Sequence, residues 1–502
     1  MTNEVCLNIP NDTSLPPYST ESHLVTTTPP TESNPPRQSA EERSLGLKLI
    51  ASSTDAWSST PYECSCILED RFLLLGHREG IQLIDLEQPK QPIIILWTRV
   101  RQIHVIESCR IILMISDKSK PVRCYSYDAL LKLIYSVLSL DWASRRSPFD
   151  IPSLKDWQQV ASKSALNIPP DDDHDNEEVT ISAMNGLGFA FKERLAKKQK
   201  EKISIEKQGC YIVDGLTKPF FVCDHQIPQE FHYKLPESKE ALDLQFYQTS
   251  AYLFLATLHR DKIVLWQRKR DHPLRHFYRF KVFWIPAEAK SISFADDRNT
   301  LRHILTVFST EATVIELRDC QVETIPIDPT LRRIYERTWR EQDGTLLASV
   351  PPLQWTSLLQ LPFLPNLPPT TLSTEYSIPP SYTTVINTPH SDPPDPIALQ
   401  ASAQLFLATL SAQSFVIDIS GCLYSTQVFC WSEPPCHIEF IKLDQWYAIG
   451  FGQATVEMVN MQNGKSQKIM HGVPVKFLGR WHHALMWSCA AKQTHVYMLR
   501  NQ

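Results

Sequence analysis

The stretch from Arg71 to Leu130 sets the pattern of the chain, because short apolar or alternating runs are separated by charged or glycine-containing turns. Its first part, RFLLLGHREGIQLIDL, predicts a strand, a tight turn and a second strand. Gly76 and Gly80 are free to take positive φ where a tight hairpin needs it. The pattern returns in three further runs, Val100–Ile106, Arg110–Ser116 and Pro121–Tyr127. The stretch therefore predicts an antiparallel meander.

Strands and short polar turns recur from Gly209 to Ile325 and again from Gln404 to Leu499. Neighbouring strands are too close in sequence for helices to lie between them, which excludes a parallel α/β sheet. We count roughly 24 to 28 strands after Ala51, and four strands per blade give six or seven blades. The sequence predicts an all-β fold, a seven-bladed β-propeller with six blades as the alternative, over residues 46–500. A last strand that reaches Leu499 is typical of a propeller closed by its two termini.

Two segments have a helical rather than a strand-like pattern. Leu130–Leu140 is apolar at a near-helical period, and it predicts a short helix or strand that covers an edge of the propeller. Leu331–Gln342, with the sequence LRRIYERTWREQ, predicts one surface helix.

Three other segments carry no strand pattern. Residues 1–45 are rich in Ser, Thr and Pro and predict a disordered tail. Residues 145–204 predict an insertion, and residues 361–398, with ten prolines, predict a loop outside the sheets. Within the first insertion, Asp171–Glu178 holds six carboxylates. The run lacks the ligand spacing and the glycine of an EF-hand, so a solvated linker is favoured over a calcium site.

The acidic run is followed by the basic segment Phe189–Lys202, which is composed of strong helix formers. One interpretation is a helix that contacts anionic lipid or an acidic face of a protein partner. The other is a solvated helical insertion. If the helix does bind, the candidate partner-binding residues are its six cations, Lys192, Arg194, Lys197, Lys198, Lys200 and Lys202.

Composition narrows the class of protein. A net charge of −5 does not favour a nucleic-acid partner, and 42% hydrophobic residues support a sizeable core. The first residues, MTNEVCLNIP, lack the features of a signal peptide, and no apolar run is long enough to span a membrane. The 12 cysteines are scattered without a Cys-x-x-Cys pair, as in reduced thiols of a cytosolic protein. We expect a cytoplasmic location, with peripheral membrane association through the basic segment as the alternative.

No arrangement of residues predicts catalysis, a cofactor or a metal site. The chain has no Gly-x-Ser-x-Gly and no His-Glu-x-x-His sequence. Gly186 and Gly188 begin a dinucleotide-like motif, but Phe191 stands where its third glycine belongs. Gly464-Lys465-Ser466 lacks the earlier glycine of a phosphate loop, and Asn463-Gly464 instead predicts a type I′ hairpin turn.

The first stretch also resembles the opening of the citron homology (CNH) domain family. The resemblance lies in a leucine-rich strand, a Gly-x-x-x-Gly turn and three later short motifs. In this chain these pieces are Leu73-Leu74-Leu75-Gly76, Gly80, Asp85, Val100-Arg101-Gln102-Ile103, Ser116-Asp117-Lys118 and Asp128-Ala129-Leu130.

This resemblance implies a seven-bladed β-propeller that serves as a protein-interaction surface. Citron homology domains occur near the C-termini of some Rho exchange factors and Ste20-type kinases, and in vacuolar tethering proteins. The resemblance therefore implies a non-catalytic module that docks a Rho-, Rap- or Rab-type small GTPase or its regulator. The alternative is a vesicle or vacuolar tethering subunit, and a second rival is an enzyme with a site in the propeller channel.

Overall fold

In the computed structural model of the chain, the described residues are 4–7, 45–52, 61–141 (without 89–91, 97 and 117–118), 154–169, 210–213, 216–219, 232–343 (without 273 and 298–299), 350–363 and 404–501 (without 483 and 491–493). Apart from one two-stranded hairpin, their strands form seven antiparallel sheets. Successive sheets of four strands are the blades of a β-propeller. The fold is a seven-bladed β-propeller, which confirms the higher of the two predicted blade numbers.

The chain divides into two compact units, a central unit of Tyr62–Thr324 and a terminal unit of Met1–Pro61 with Ile325–Gln502. The terminal unit contributes the first two strands, β1 (Glu4–Leu7) and β2 (Leu45–Ser52), which pair with each other. Strand β1 lies within the tail that the sequence predicts to be disordered. Residues 8–44 of that tail lie outside the described residues.

The central unit holds blades 1 to 4. Blade 1 consists of β3 (Cys64–Leu68), β4 (Phe72–Gly76), β5 (Ile81–Asp85) and β6 (Ile93–Leu96). Blade 2 consists of β7 (Val100–Ile106), β8 (Ile111–Ser116), β9 (Val122–Ser126) and β12 (His232–Lys234); the separate hairpin of β10 (Cys210–Val213) and β11 (Leu216–Pro219) precedes β12 in the chain. Blade 3 consists of β13 (Asp243–Gln248), β14 (Tyr252–Leu258), β15 (Lys262–Lys269) and β16 (Tyr278–Trp284), and blade 4 of β17 (Ser291–Asp297), β18 (Thr300–Val307), β19 (Ala312–Glu316) and β20 (Val322–Ile325). A 3-10 turn, Glu107–Cys109, joins β7 to β8.

The terminal unit holds blades 5 to 7. Their strands are β21 (Trp355–Gln360), β22 (Leu405–Leu410), β23 (Gln413–Asp418) and β24 (Leu423–Cys430) in blade 5; β25 (His437–Lys442), β26 (Trp446–Phe451), β27 (Thr455–Asn460) and β28 (Ser466–His471) in blade 6; and β29 (Val475–Trp481), β30 (Ala484–Ala490) and β31 (Thr494–Asn501), together with β2, in blade 7. Strand β2 pairs with β31, so an early strand of the chain completes the last blade. Strand β1 adds to the outer side of β2 as a fifth strand.

The core lies between neighbouring blades, and β8 shows why its sequence suits that position. All six of its residues are buried. Because successive side chains of a strand point to opposite faces, Ile112 and Met114 pack into one cluster with blade 1, and Ile111, Leu113 and Ile115 pack into another with blade 3. A strand covered on both faces reads as an uninterrupted apolar run.

Three helices accompany the blades within the described residues. Helix α1 (Tyr127–Val137) begins at Ser126, whose Oγ accepts a hydrogen bond from the Ala129 N–H, and it confirms the helical interpretation of Leu130–Leu140. Helix α2 (Leu154–Ala165) lies inside the predicted insertion. Helix α3 (Pro329–Asp343) confirms the helix expected at Leu331–Gln342; its proline stands at the first helical position, after Asp328, which accepts the Thr330 N–H at 2.7 Å.

The two glycines of the first predicted hairpin do not use their freedom to take positive φ. Among the described residues, Gly421, Gly464 and Gly472 are the glycines with positive φ, so Gly76 and Gly80 do not take it. Close packing explains why both positions hold glycine. A Cβ on Gly76 would lie 2.5 Å from Cys64 Sγ, and one on Gly80 would lie 2.2 Å from the Leu96 carbonyl oxygen. These positions need glycine for close approach of their neighbours.

The hairpin at Asn463-Gly464 is confirmed, but its predicted turn type is wrong. Only Gly464 has positive φ, at +69°, whereas a type I′ turn needs two such residues. The Gly464 N–H donates to the Asn460 carbonyl at 2.9 Å, and the Asn460 side chain accepts the Gln462 N–H at 2.8 Å. The loop is therefore longer than a two-residue turn.

Two predicted insertions are partly described. The Pro-rich segment leaves blade 5 between β21 and β22, and Phe363 stacks on Trp446 with ring centroids 4.7 Å apart. Residues 170–209 and 364–403 lie outside the described residues. The hairpin of β10 and β11 that follows the first insertion ends at Pro219.

Candidate protein-interaction surface

The six cations proposed from the sequence lie outside the described residues. The structure therefore does not place Lys192, Arg194, Lys197, Lys198, Lys200 or Lys202, and their role stays a prediction. A different surface is described in detail, on the outer strand of blade 3.

Strand β16 carries two exposed aromatic side chains. Phe280 is 42% exposed and Trp284 is 72% exposed, and they are two of the four large apolar side chains that the described residues expose. The other two are Leu166, which follows α2, and Val322 on β20. A large aromatic ring in water forgoes the free energy that burial would provide, so two exposed rings on one edge strand make that strand a candidate contact surface.

Phe280 stands at an irregularity of the strand. Trp266 of β15 pairs with Arg279 and Leu265 pairs with Lys281, so Phe280 is an extra residue between two pairs, as in a β-bulge. The Phe280 ring makes an edge contact with Phe254, at 6.3 Å between centroids. Phe254 in turn contacts Tyr252, at 6.2 Å.

Trp284 lies on the other face of the blade. Its pairing partner across the sheet is Lys262, whose Nζ lies 5.6 Å from the centre of the indole ring. An ammonium group at this distance over an aromatic face is attracted by the ring quadrupole. Edge strand β16 thus presents one aromatic residue on each face.

The start of β16 is covered by the segment at the end of α2. Ser164 Oγ donates to the Phe277 carbonyl at 2.8 Å, and the Asn167 side-chain oxygen accepts the Arg279 N–H. His276 Nε2 donates to the Ile168 carbonyl at 2.7 Å. The first two contacts satisfy the outward Phe277 carbonyl and Arg279 N–H at the start of this edge strand, which water or another strand would otherwise satisfy.

Helix α2 is held in place by its apolar face. Trp157 and Val160 are buried in the cluster that blades 2 and 3 share, and Ala161 packs against it. The Trp157 ring lies 5.8 Å from that of Tyr233 on β12. The helix therefore fastens the described part of the 145–204 insertion to the propeller. This docked helix was not predicted, although Trp157, Val160, Ala161 and Ser164 have helical spacing.

Phe280, Phe254 and Tyr252 form an aromatic row, and a shallow open pocket lies at its Tyr252 end. It has a volume of about 350 Å³ and is lined by two segments, Ser250–Tyr252 and Lys269–Asp271. Asp271 is paired with Arg275, at 2.8 Å and 2.5 Å, and the hydrogen bond from that guanidinium lowers the pKa of the Asp271 carboxyl. Tyr252 belongs both to the pocket and to the aromatic row, which makes the two continuous.

The charge of blade 3 differs from that of the whole chain. Residues 241–290 contain nine Lys and Arg against four Asp and Glu, in a chain whose net charge is −5. One cation is held close to Phe280: Lys281 Nζ lies 5.5 Å from its ring centre and donates to the Leu317 carbonyl. Interleaved cations and aromatic rings suit a partner that combines acidic and apolar groups.

The described residues bring no three His, Cys, Asp or Glu side chains together in the way a metal ion requires. Nor do they include a helix with the length and apolar character needed to cross a membrane.

Sequence comparison connects this architecture to a family. The CNH domain profile matches residues 69–183 and 210–480, which is more than half of the chain. The protein belongs to the CNH domain family. The resemblance seen in the first stretch is thereby confirmed. CNH β-propellers are a protein-interaction fold.

Two solved structures are similar to this CNH domain. One is the AfRom2 CNH domain, at 12% identity and a TM-score of 0.47, with 90% of this chain and 98% of that chain covered. The other is the Pan2 WD40 domain of Neurospora crassa, at 9% identity and a TM-score of 0.40, with 92% and 97% covered. Neither similarity carries a functional argument at these values. No curated protein matches the sequence.

Proposed function

We propose that this CNH domain is a non-catalytic docking module that binds a protein partner in small-GTPase signalling. The observation that carries the proposal is the surface of blade 3, where Phe280 and Trp284 are exposed in a basic surrounding. Aromatic side chains are enriched at protein interfaces and often supply much of the affinity, and surrounding cations favour a partner with an acidic surface.

The partner class rests on the family. Citron homology domains accompany Rho exchange factors and Ste20-type kinases, so a Rho-, Rap- or Rab-type GTPase or one of its regulators is the partner we propose. The six cations between Lys192 and Lys202 are proposed to assist by contact with an acidic partner face or an anionic membrane. The proposed location is the cytoplasm, with membrane contact only at its surface.

The test is proximity labelling in cells with the full chain, beside a variant in which Lys197, Lys198 and Lys200 are changed to Glu. We expect enrichment of small GTPases or their regulators with the unchanged chain, and its loss with the charge-reversed variant. Enrichment that survives charge reversal would keep the docking function and remove the six cations from the site. Enrichment of vesicle-tethering subunits would refute the GTPase partner, and a chain that enriches no protein would refute the docking function.

A further inference from the structure

Strand β16 has a covered half and an open half. Its first main-chain groups are bound by Ser164 and Asn167, as described above. After the bulge at Phe280 the strand continues to Trp284, and within the described residues no further strand pairs with it, since the blade 3 sheet ends there.

The main-chain groups of this open half can be oriented. The Ile285 N–H donates inward to the Asp261 carbonyl at 3.0 Å. Because main-chain groups alternate in direction along an antiparallel strand, those of Trp284 and Val282 point away from β15. An outward row of N–H and C=O groups is a template for another strand.

The side chains around this edge match that mode of binding. When a peptide adds to a sheet edge, main-chain hydrogen bonds supply affinity and contacts on the two faces supply specificity. Phe280 contacts Phe254 on one face, and Trp284 contacts Lys262 on the other. An incoming strand would meet an aromatic anchor with each set of alternate residues.

Charge identifies the chemistry of the occupant. Blade 3 has an excess of cations, among them Lys262 and Lys281 beside the two anchors. A second copy of this strand would set like charges opposite each other, which destabilises a strand pair. An extended segment with acidic and apolar residues would pair favourably.

The same chain already contains a strand added in this way. In blade 7, β1 pairs with the outer side of β2 in the register from Glu4 with Lys48 to Leu7 with Leu45. The outer edge of a blade in this propeller therefore accepts a short extended segment as a fifth strand.

We infer that the open half of β16, from Phe280 to Trp284, binds an extended segment of the partner protein, rich in acidic and apolar residues, as a fifth strand of blade 3. This inference rests on the proposed docking function and names the site and the mode of binding.

The test uses the full chain and a fluorescein-labelled peptide in which valine and glutamate alternate. Three further peptides control it: one with lysine in place of glutamate, one with N-methylated amides along one edge, and one with the same composition in scrambled order. We expect binding of the first peptide, with affinity at least about tenfold lower for the lysine and N-methylated forms. Protection of the Val282 and Trp284 amides from hydrogen exchange should accompany binding, because only strand addition protects them.

Two variants of β16 and one control place the site. Val282→Pro removes an outward N–H, a change that an edge strand tolerates on its solvent side. Trp284→Ser removes one anchor without a change to the main chain. Val322→Ser removes an exposed apolar side chain from another outer strand and serves as the control. We expect both β16 variants to lower peptide affinity at least about tenfold and the control to leave it unchanged.

The outcomes separate the two proposals. If proximity labelling finds a partner and both β16 variants retain it, the docking function stands and strand addition at β16 is overturned. Equal binding of the N-methylated peptide, or of the lysine peptide, would overturn it as well. So would a dimer of the chain that Trp284→Ser abolishes, because the occupant would then be a second copy.

Discussion

The outer strands of blades 3 and 6 both leave an exposed sheet edge, but they carry different side chains on it. Both β16 and β28 are the last strand of a four-stranded sheet. The exposed residues of β28 are Ser466, Lys468 and His471, and Lys468 Nζ lies 3.9 Å from a Glu457 carboxylate. Strand β16 exposes Phe280 and Trp284 instead.

This difference separates a protected edge from a binding edge. Lysine and other polar side chains on an edge strand discourage pairing with another chain. Apolar rings on an exposed edge favour contact with another chain, so their exposure on β16 fits a surface that binds a partner. In β16 the first part is covered by the segment after α2, which leaves a short and defined stretch for a partner.

The largest effect is expected from loss of the anchor of α2. Trp157 is 2% exposed, and Trp157→Ala would remove a large buried side chain at a cost of about 3–5 kcal/mol. The start of β16 would then resemble its open half. The Arg279 amide, which donates a hydrogen bond to the Asn167 side-chain oxygen, should exchange its hydrogen faster in this variant. The unfolding midpoint in urea should also be lower.

The exposed Gln159 on the same helix supplies the control for that experiment. Gln159→Ala should leave both the exchange rate of the Arg279 amide and the unfolding midpoint unchanged. If Trp157→Ala behaves in the same way, α2 does not cover the edge in solution and the contrast between the two halves of β16 is wrong.

A smaller effect is expected from one hydrogen bond at the covered half. Ser164→Ala leaves the Phe277 carbonyl without its hydroxyl donor, and the expected loss of stability is about 1 kcal/mol. Ser162 is a matched control, because its Oγ donates to the Gln158 carbonyl within the same helix. Chemical denaturation that ranks Ser162→Ala as equally destabilising would contradict a specific role for Ser164.

The covered half should also depend on pH through His276. Burial lowers the pKa of His276, and Lys163, Arg268 and Arg275 lower it further, while the Ile168 carbonyl opposes them. A depressed folded pKa means that stability is fully present above the ordinary histidine value of about 6.5 and is lost as pH falls below it. The hydrogen bond to Ile168 can persist after protonation, so the change should be modest.

The measurement is hydrogen exchange of residues 154–168 between pH 7.5 and pH 5.5, corrected for the intrinsic rate. We expect weaker protection at the lower pH, and a smaller dependence on pH in His276→Gln. The exposed His272 is the comparison, and His272→Gln should retain the full dependence. A dependence that is the same in all three proteins would assign it to another group.

Strand β16 lies within the stretch from Gly209 to Ile325 that the sequence pattern predicts to be strands and short turns, but the pattern did not predict the exposure of Trp284. The run RFKVFW combines basic, aromatic and aliphatic residues, and the same letters fit a strand packed between blades. Whether a ring is covered depends on the neighbouring segments, which a local pattern does not specify. The order and number of blades were accessible because buried runs such as IILMIS are separated by clear turn signals.

The missed elements have physical reasons of their own. Strand β12 has three residues, too few to show alternation, and its partner β9 lies more than a hundred positions earlier in the chain. Helix α2 carries a helical stripe, but its polar composition and the acidic run after it favoured a solvated insertion. The docking of Trp157 onto two blades is a tertiary contact, and it decided the position of that helix.

The smallest change in stability is expected when β28 is made to resemble β16. Lys468→Trp replaces a half-exposed lysine with an aromatic ring, and we expect stability within about 0.5 kcal/mol of the unchanged chain. Glu457 would keep the hydrogen bond from the Ser432 N–H at 2.6 Å, so its carboxylate would not lose all its partners.

Self-association of Lys468→Trp, measured by sedimentation velocity over a range of concentrations, should increase because the edge has lost its protecting charge. Lys468→Ala removes the charge without a ring and should associate less. If Lys468→Trp stays monomeric, an exposed ring alone does not make an edge adhesive, and the binding role of β16 would then depend on its outward main-chain groups and its two-faced arrangement of anchors.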